Sequence, residues 1–220
     1  MLELFVDPKT LGPLFLSLKV LAMAGIILLP LGVLLAWYLS GRTSAIRSIV
    51  EFLVTLPLVF PPIATGFILL MLLGRHGPLG SVLPVDIVFT FQGLVLAAII
   101  SGLPLLVKPV EAALRDQGPG LREVAAVLGK TPWQTFLLVL LPAVRKSILA
   151  GWLLSLCRSV GEVGVTLMLG GNIIGRTNTL SLEIYNCVFT GELDRAMILC
   201  AIIAMISGFI LLALKRLSVI

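Results

Sequence analysis

The sequence predicts an all-α protein that crosses a membrane several times. Of its 220 residues, 59% are hydrophobic and only 12% are charged. The mean hydropathy of +1.14 lies far above that of soluble domains. Five apolar stretches, each long enough for a membrane-spanning helix, alternate with segments that hold most of the charge. We therefore expect one polytopic domain over residues 1–220 with five transmembrane helices.

The five predicted spans differ in the prolines and polar residues inside them. They cover residues 11–39, 52–73, 87–107, 148–169 and 196–214. Pro30 should kink the first span, which also contains Lys19. Prolines interrupt the second span and free backbone carbonyls, which lipid tolerates only beside other helices or a wet cavity. We therefore expect the second span to face the bundle interior.

The segment 74–86 is predicted to be a loop, and 170–194 a glycine-rich and polar connection between spans. His76, the one histidine, lies in the first of them and is expected to be exposed to solvent. The three cysteines, Cys157, Cys187 and Cys200, have no metal-ligand spacing. Neither a metal site nor a disulfide is expected.

The distribution of basic residues predicts the orientation in the membrane. Five spans place the termini on opposite sides. The side that holds segment 108–146 carries ten basic residues, Arg42, Arg47, Lys108, Arg115, Arg122, Lys130, Arg145, Lys146, Lys215 and Arg216. The other side carries four, Lys9, Arg75, Arg176 and Arg195. Because basic loops stay cytoplasmic, the N-terminus is predicted outside, and segment 108–146 and the C-terminus inside.

Within this polar segment, the pattern predicts two short helices joined at a glycine corner. Apolar residues recur at i, i+3, i+4 and i+7 on one helical face, namely Leu121, Val124, Ala125 and Leu128. Gly129 can take the left-handed conformation that ends a helix, and Thr131 and Gln134 have the spacing of a capping box around Pro132. The apolar face packs either on the protein's own spans or on a partner, and periodicity does not separate these alternatives.

Motifs for catalysis are missing from the sequence. Gly129, Lys130 and Thr131 look like the end of a phosphate-binding loop, but Val124 stands where that loop needs glycine, and a helix precedes it. The sequence shows no nucleophile elbow, metal-ligand cluster or paired-carboxylate arrangement. We expect no enzyme activity and no cofactor in this chain.

Two opposite charges lie inside the fourth predicted span. Arg158 and Glu162 are four residues apart and so share a helix face. Each alone would cost roughly 3 kcal/mol near the bilayer centre, so they should pair or face the bundle. The pair is either a structural link between helices or part of a gate, and a neutralised pair would not attract an anion.

A family resemblance bears on the glycine corner. The spacing of Glu123, Ala125 and Gly129, followed by Val139-Leu140-Leu141-Pro142, resembles the EAA signature of ABC-importer permeases. In that family the segment, here residues 120–142, is the coupling helix that docks in a groove of the ATPase subunit. The resemblance implies an ATPase-coupling set of Glu123, Val124, Ala125, Ala126, Gly129, Thr131 and Trp133. Val124 departs from the alanine that the family prefers.

Further segments resemble molybdate permeases. Residues 158–166, RSVGEVGVT, and 171–180, GNIIGRTNTL, are similar to that family's ARSLGEFGAT and GNIPGRTQTL. The pathway candidates from this likeness are Arg158, Glu162, Gly164, Thr166, Gly171, Asn172 and Arg176. Free backbone N–H groups of residues 170–172 and the Arg176 side chain are hypothesised to meet a dianion at the outer mouth. Parts of the same stretch are similar to tungstate permeases, and sulfate or thiosulfate permeases are a third alternative.

The resemblance implies the MetI-like fold of type I ABC importers in a prokaryotic inner membrane. It also implies a homodimer, two ATPase subunits that bind ATP and Mg²⁺, and an extracytoplasmic oxyanion-binding protein. A membrane-embedded enzyme is the less favoured reading, because no polar cluster at a common depth can be assembled. A DNA-binding helix-turn-helix over the corner is disfavoured by its tether between two spans, and no nucleic-acid partner is expected.

Overall fold

The structure is a computed structural model that describes residues 7–82 and 86–216, and this part of the chain contains helices and turns but no strand. The helices are α1 (Pro8–Leu39), α2 (Ala45–Val59), α3 (Pro62–Leu73), α4 (Phe91–Val127), α5 (Pro132–Thr135), α6 (Leu141–Ala143), α7 (Arg145–Val160), α8 (Gly164–Gly170), α9 (Leu180–Thr190) and α10 (Leu193–Arg216). A π-helical turn, Phe136–Leu140, joins α5 to α6.

Three of the described helices, α1, α4 and α10, are long and apolar enough to cross a membrane singly. A fourth crossing results if Pro132–Ala143 and Arg145–Val160, which meet at a bend of 74°, count as one broken span. These helices confirm an all-α protein with several apolar helices. The count of five spans stays a prediction.

The centre of the bundle is formed by α1, α4 and α7, which pack through small and hydroxyl side chains. Gly151 of α7 faces the α4 backbone so closely that a Cβ there would lie 3.0 Å from the Leu105 oxygen. Ser155 Oγ donates to Gly102 O at 2.8 Å, and Trp152 Nε1 donates to Gly25 O at 2.9 Å. Such contacts are typical of helix pairs in membranes, where close backbone approach and interhelical hydrogen bonds replace hydrophobic burial.

The helix of the third predicted span continues well beyond that span. Helix α4 begins at Phe91 and continues to Val127, so the amphipathic helix expected before Gly129 is the last part of α4. Its prolines, Pro104, Pro109 and Pro119, lie inside the helix without ending it. The helix continues because Val110 and Leu114 keep a buried apolar face beyond the predicted boundary.

The second and fourth predicted spans are each divided. Phe60 and Pro61 separate α2 from α3, because consecutive prolines lack N–H donors and disfavour helix at the residue before them. Residues 161–163 separate α7 from α8. The two breaks lie side by side, since a Cβ on Gly164 would fall 2.8 Å from Ile63 N.

The expectation that the second span faces the bundle interior is wrong for the single chain. Only Val54, Thr65 and Gly66 are buried in α2 and α3. The large apolar side chains of both helices point outward, among them Phe52, Leu58, Ile63, Phe67 and Met71. Lipid or another subunit must cover this surface.

Segment 170–194 is not only a loop, because it contains α9. Leu180 and Cys187 of α9 are buried against Leu199 and Ile202 of α10, and Ser17 Oγ accepts the Leu180 N–H at 2.8 Å. The other predicted loop is turn-like over its described residues, and His76 is exposed as predicted. Across that loop Arg75 pairs with Asp86 at 2.7 Å, which holds the pKa of the Asp86 carboxyl below its usual value.

Candidate functional site

The sequence-predicted site residues lie at two ends of the molecule. The first group belongs to the elbow, by which we mean residues 123–142, where α4 turns back towards α7. The second group lies on α7, α8 and the segment before α9. Helix α1 passes from the second group to the elbow, and Lys19 and Leu39 on it are about 30 Å apart at 1.5 Å per residue.

Gly129 forms the corner of the elbow, as the sequence predicted. Its φ is +68°, in the left-handed region that suits glycine. Gly129 N–H donates to Ala126 O and Lys130 N–H donates to Ala125 O, both at 3.0 Å. These two bonds are the Schellman pattern, which satisfies the last carbonyls of α4 and turns the chain sharply.

The helix after the corner starts with the predicted capping box. Thr131 Oγ1 accepts from Gln134 N at 3.3 Å, and Gln134 Oε1 accepts from Thr131 N at 3.0 Å. Beneath it the Phe136 ring stacks on Trp37 of α1, with centroids 4.4 Å apart, and Trp133 lies 5.4 Å from Phe136. Aromatic stacking therefore fastens the elbow to the end of α1.

The elbow presents apolar side chains to its surroundings. Val124 is 61% exposed, Val127 88% and Leu128 69%. The predicted single apolar face is thus only partly correct, because Ala125 is 2% exposed and packs inward. The rest of the coupling set, Glu123, Ala126, Gly129, Thr131 and Trp133, is exposed. Exposed apolar residues clustered among polar ones mark a surface for a partner.

A charged network, which sequence reasoning missed, holds the elbow end of α4 to α1 and α2. Lys108 pairs with Glu51 of α2 at 2.6 Å, and Arg115 pairs with the buried Glu111 at 2.7 Å. Arg115 also donates to Leu39 O, and Arg122 donates to Ser40 Oγ at 2.9 Å. The signal was present in the helical spacing of Lys108, Glu111 and Arg115. It was overlooked because the helix was expected to stop at residue 107.

Arg158 and Glu162 form the expected pair, at 2.5 Å. Glu162 is 3% exposed, and its other oxygen accepts from Val165 N at 2.9 Å, which caps the first turn of α8. Thr166 is buried in that turn. This geometry fits a structural role, because the carboxylate fixes the break between α7 and α8.

At the far end of α8, Gly171 has φ +72° and lies under the Phe89 ring. Its N–H donates to Leu167 O at 2.9 Å, so the backbone donor that the sequence hypothesis assigned to an anion is already used. Asn172 Nδ2 donates to Asn186 Oδ1 at 2.6 Å. The Arg176 side chain is exposed at the rim of a cavity of about 770 Å³ between α1, α9 and the segment 172–178.

The chain is similar to membrane components of known transport systems. Residues 28–219 match the family model described as "Binding-protein-dependent transport system inner membrane component". The molybdenum transport system permease protein ModB of Azotobacter vinelandii is 35% identical over 93% of this chain and 92% of its own length. The sulfate transport system permease protein CysW of Escherichia coli is 31% identical over 93% of this chain and 73% of its own.

A crystal structure of a bacterial alginate ABC transporter, in complex with its alginate-bound periplasmic protein, has a similar fold. Its matching chain superposes with a TM-score of 0.77 over 99% of this chain and 81% of that one, at 21% identity. At that identity the likeness concerns the fold alone.

Proposed function

Because the chain belongs to the family of binding-protein-dependent transport system inner membrane components, we propose that it is the permease of an ATP-driven importer for molybdate or tungstate. Coupling to an ATPase is supported by one observation on the elbow: Val124, Val127 and Leu128 are exposed beside a corner that is closed by backbone hydrogen bonds and a capping box. The substrate rests on the molybdenum permeases that match nearly the full length at about one third identity.

In this proposal a partner ATPase covers the apolar surface of the elbow. Residues Val127 and Leu128 would enter its groove, while Glu123 and Lys130 remain at the polar edge of the contact. ATP and Mg²⁺ are bound by that partner. Movement of the partner displaces the elbow, and the stacked Trp37 and Phe136 rings pass this displacement to α1. ATP-driven movement at the elbow thereby changes which side of the membrane the translocation pathway opens to, as alternating access requires.

Two copies of the chain are proposed to enclose the pathway, with an oxyanion-binding protein on the outer side. The outward-facing apolar side chains of α2 and α3 supply a surface for the second copy or for lipid. In this proposal the N-terminus lies outside and the elbow inside the cell, which is supported by the basic loop residues gathered on the elbow side.

The test is uptake by a reconstituted complex. The chain, its ATPase and its binding protein are placed in proteoliposomes, and accumulation of labelled molybdate is measured with and without ATP. We expect ATP-dependent uptake that unlabelled tungstate competes with more strongly than sulfate does. ATP-dependent uptake of sulfate without molybdate would favour the second candidate, a sulfate permease, which the likeness to CysW supports more weakly. Absence of uptake of all three anions would overturn the proposal.

A further inference from the structure

The cavity of about 770 Å³ lies at the end of the bundle opposite the elbow and is unusually rich in cationic side chains. We call it the vestibule. Its lining includes four cations, Lys9, Lys19, Arg176 and Arg195, but only two carboxylates, Glu183 and Glu192. Its volume is within the range of about 300 to 1,000 Å³ that small-molecule sites occupy. A hydrated small anion would fit inside it.

Arg195 forms ion pairs with both carboxylates of the vestibule. Its guanidinium pairs with Glu183 at 2.5 Å and with Glu192 at 3.3 Å. Glu183 also accepts hydrogen bonds from Asn178 at 2.6 Å and Asn186 at 3.2 Å. Both carboxylates therefore already accept contacts from the protein itself, and the four cations of the lining exceed its two carboxylates by two charges.

The remaining cations have no carboxylate within 4.0 Å among the residues that the structure describes. Lys19 Nζ lies 4.6 Å from the centroid of the Phe15 ring, and Arg176, which also lines the vestibule, is exposed. The vestibule thus has an excess of positive charge that no described acidic side chain balances. Concave walls of low dielectric focus such a charge on the space between them.

Arg195 also has a buried donor without a partner in the described part of the chain. Arg195 is 7% exposed, lines the vestibule, and its Nε has no hydrogen-bond partner among the described residues. A buried donor without a partner is costly, and such groups usually meet water or a ligand. The Nε atom itself is inaccessible from the vestibule, so a tetrahedral oxyanion there would bind through the exposed side chains of Lys19 and Arg176.

We propose that the vestibule is a binding site on the permease itself for tetrahedral oxyanions, with Lys19 and Arg176 as its principal accessible charges. This inference rests on the proposed transport function and adds a site to it. An oxyanion that leaves its binding protein would bind between α1 and the segment before α9, before the pathway opens to the other side. The selectivity of the importer would then lie partly in this chain.

The experiment measures binding and transport separately. The purified permease–ATPase complex, without binding protein, is titrated calorimetrically with sodium tungstate at low ionic strength. We compare the wild type with Lys19→Gln, Arg176→Gln and the double variant. Lys19→Arg retains the charge, and Lys215→Gln removes an exposed cation at the other end of α10 as the matched control. The same variants are assayed for molybdate uptake at limiting substrate.

Loss of one charge-assisted contact should raise the tungstate Kd about tenfold, and loss of both should raise it further. Lys19→Arg and Lys215→Gln should bind as the wild type does. Lys19 and Arg176 are exposed, so the variants should keep the wild-type melting temperature. Unchanged tungstate Kd in the double variant, or no binding by the wild type, overturns the vestibule site. If the vestibule site fails this test but the wild type still takes up molybdate in an ATP-dependent way, the proposed transport function remains supported. If the wild type shows no ATP-dependent uptake at all, the proposed transport function itself is wrong.

Discussion

At the scale of single residues, Gly129 is the position where backbone geometry most directly sets the shape of the elbow. A side chain there meets no neighbouring atom, so space does not restrict substitution, but the φ of +68° does. A Cβ in the left-handed region costs about 1–2 kcal/mol, except that asparagine adopts it more readily. The sequence alone identified this glycine, because a helical pattern ended at it and a capping box followed.

We expect Gly129→Ala to weaken ATPase association up to about tenfold, because strain of that size lowers the fraction of corners in the docking geometry. Gly129→Asn is the matched control and should bind nearly as the wild type does. Affinity is measured by titrating the purified ATPase onto the permease in detergent. Equal affinities for Gly129→Ala and the wild type would contradict the assigned role of the corner.

The pair of Arg158 and Glu162 supports a second residue-scale prediction. Arg158→Met leaves a buried carboxylate with one backbone donor and should destabilise the protein by up to about 3 kcal/mol. The double variant Arg158→Met with Glu162→Met removes both charges and should recover part of that loss. Thermal unfolding in detergent measures the difference. If the double variant is less stable than the single one, the pair does not act as a compensated buried charge.

At the scale of elements, the two interrupted spans depend on each other. Helices α3 and α8 approach through Gly66 and Gly164, where a Cβ would lie 2.9 Å from Val165 Cα and 2.8 Å from Ile63 N respectively. Because these neighbours are backbone atoms, they cannot move aside without separating the helices. The sequence showed the prolines that end α2. The second break, at residues 161–163 between α7 and α8, has no comparable signal in the sequence.

Gly66→Ala should therefore lower the melting temperature and reduce transport, since α3 and α8 are forced apart. Gly208→Ala in α10 is the control, because nothing lies within 4 Å of its added Cβ and alanine is the better helix former. Its melting temperature should be unchanged or higher. Equal melting temperatures for the two variants would show that the α3–α8 contact has room to adjust.

The elbow is an element whose exposed residues can be altered without disturbing the core. Val127→Asp places a charge on the most exposed apolar position of the elbow and should abolish stable ATPase association, while the chain still inserts and keeps its melting temperature. Glu123→Arg, which reverses an exposed charge beside it, should weaken the same contact. Co-purification with the tagged ATPase measures both. An intact stoichiometric complex from Val127→Asp would exclude docking at this surface.

At the scale of the whole molecule, the proposed orientation puts the elbow inside the cell and the loop that contains Arg75 outside. In a variant whose native cysteines are replaced, Lys130→Cys should react with a membrane-impermeant maleimide only after the cells are opened. Arg75→Cys, on the loop that follows the C-terminal end of α3, should react in intact cells. Reaction of Lys130→Cys in intact cells would place the elbow outside and reverse the proposed topology.

The sequence predicted the class of fold and the glycine corner because both depend on local patterns, namely apolar length, a glycine and a capping box. It did not predict α9, since burial of Leu180 and Cys187 becomes visible only beside α10. It also did not assemble the vestibule, whose cations Lys19 and Arg176 come from distant parts of the chain. Contacts over long separations in sequence have no local signature.

The uninterrupted course of α4 has a consequence for force transmission. Its 37 residues extend about 55 Å, so one rod reaches from the elbow past the full thickness of the hydrocarbon. If a partner ATPase moves the elbow as proposed, a displacement at Val127 can therefore reach Phe91 through one helix, without crossing a loop. Pro104, Pro109 and Pro119 are the positions along it where a bend would absorb part of that displacement.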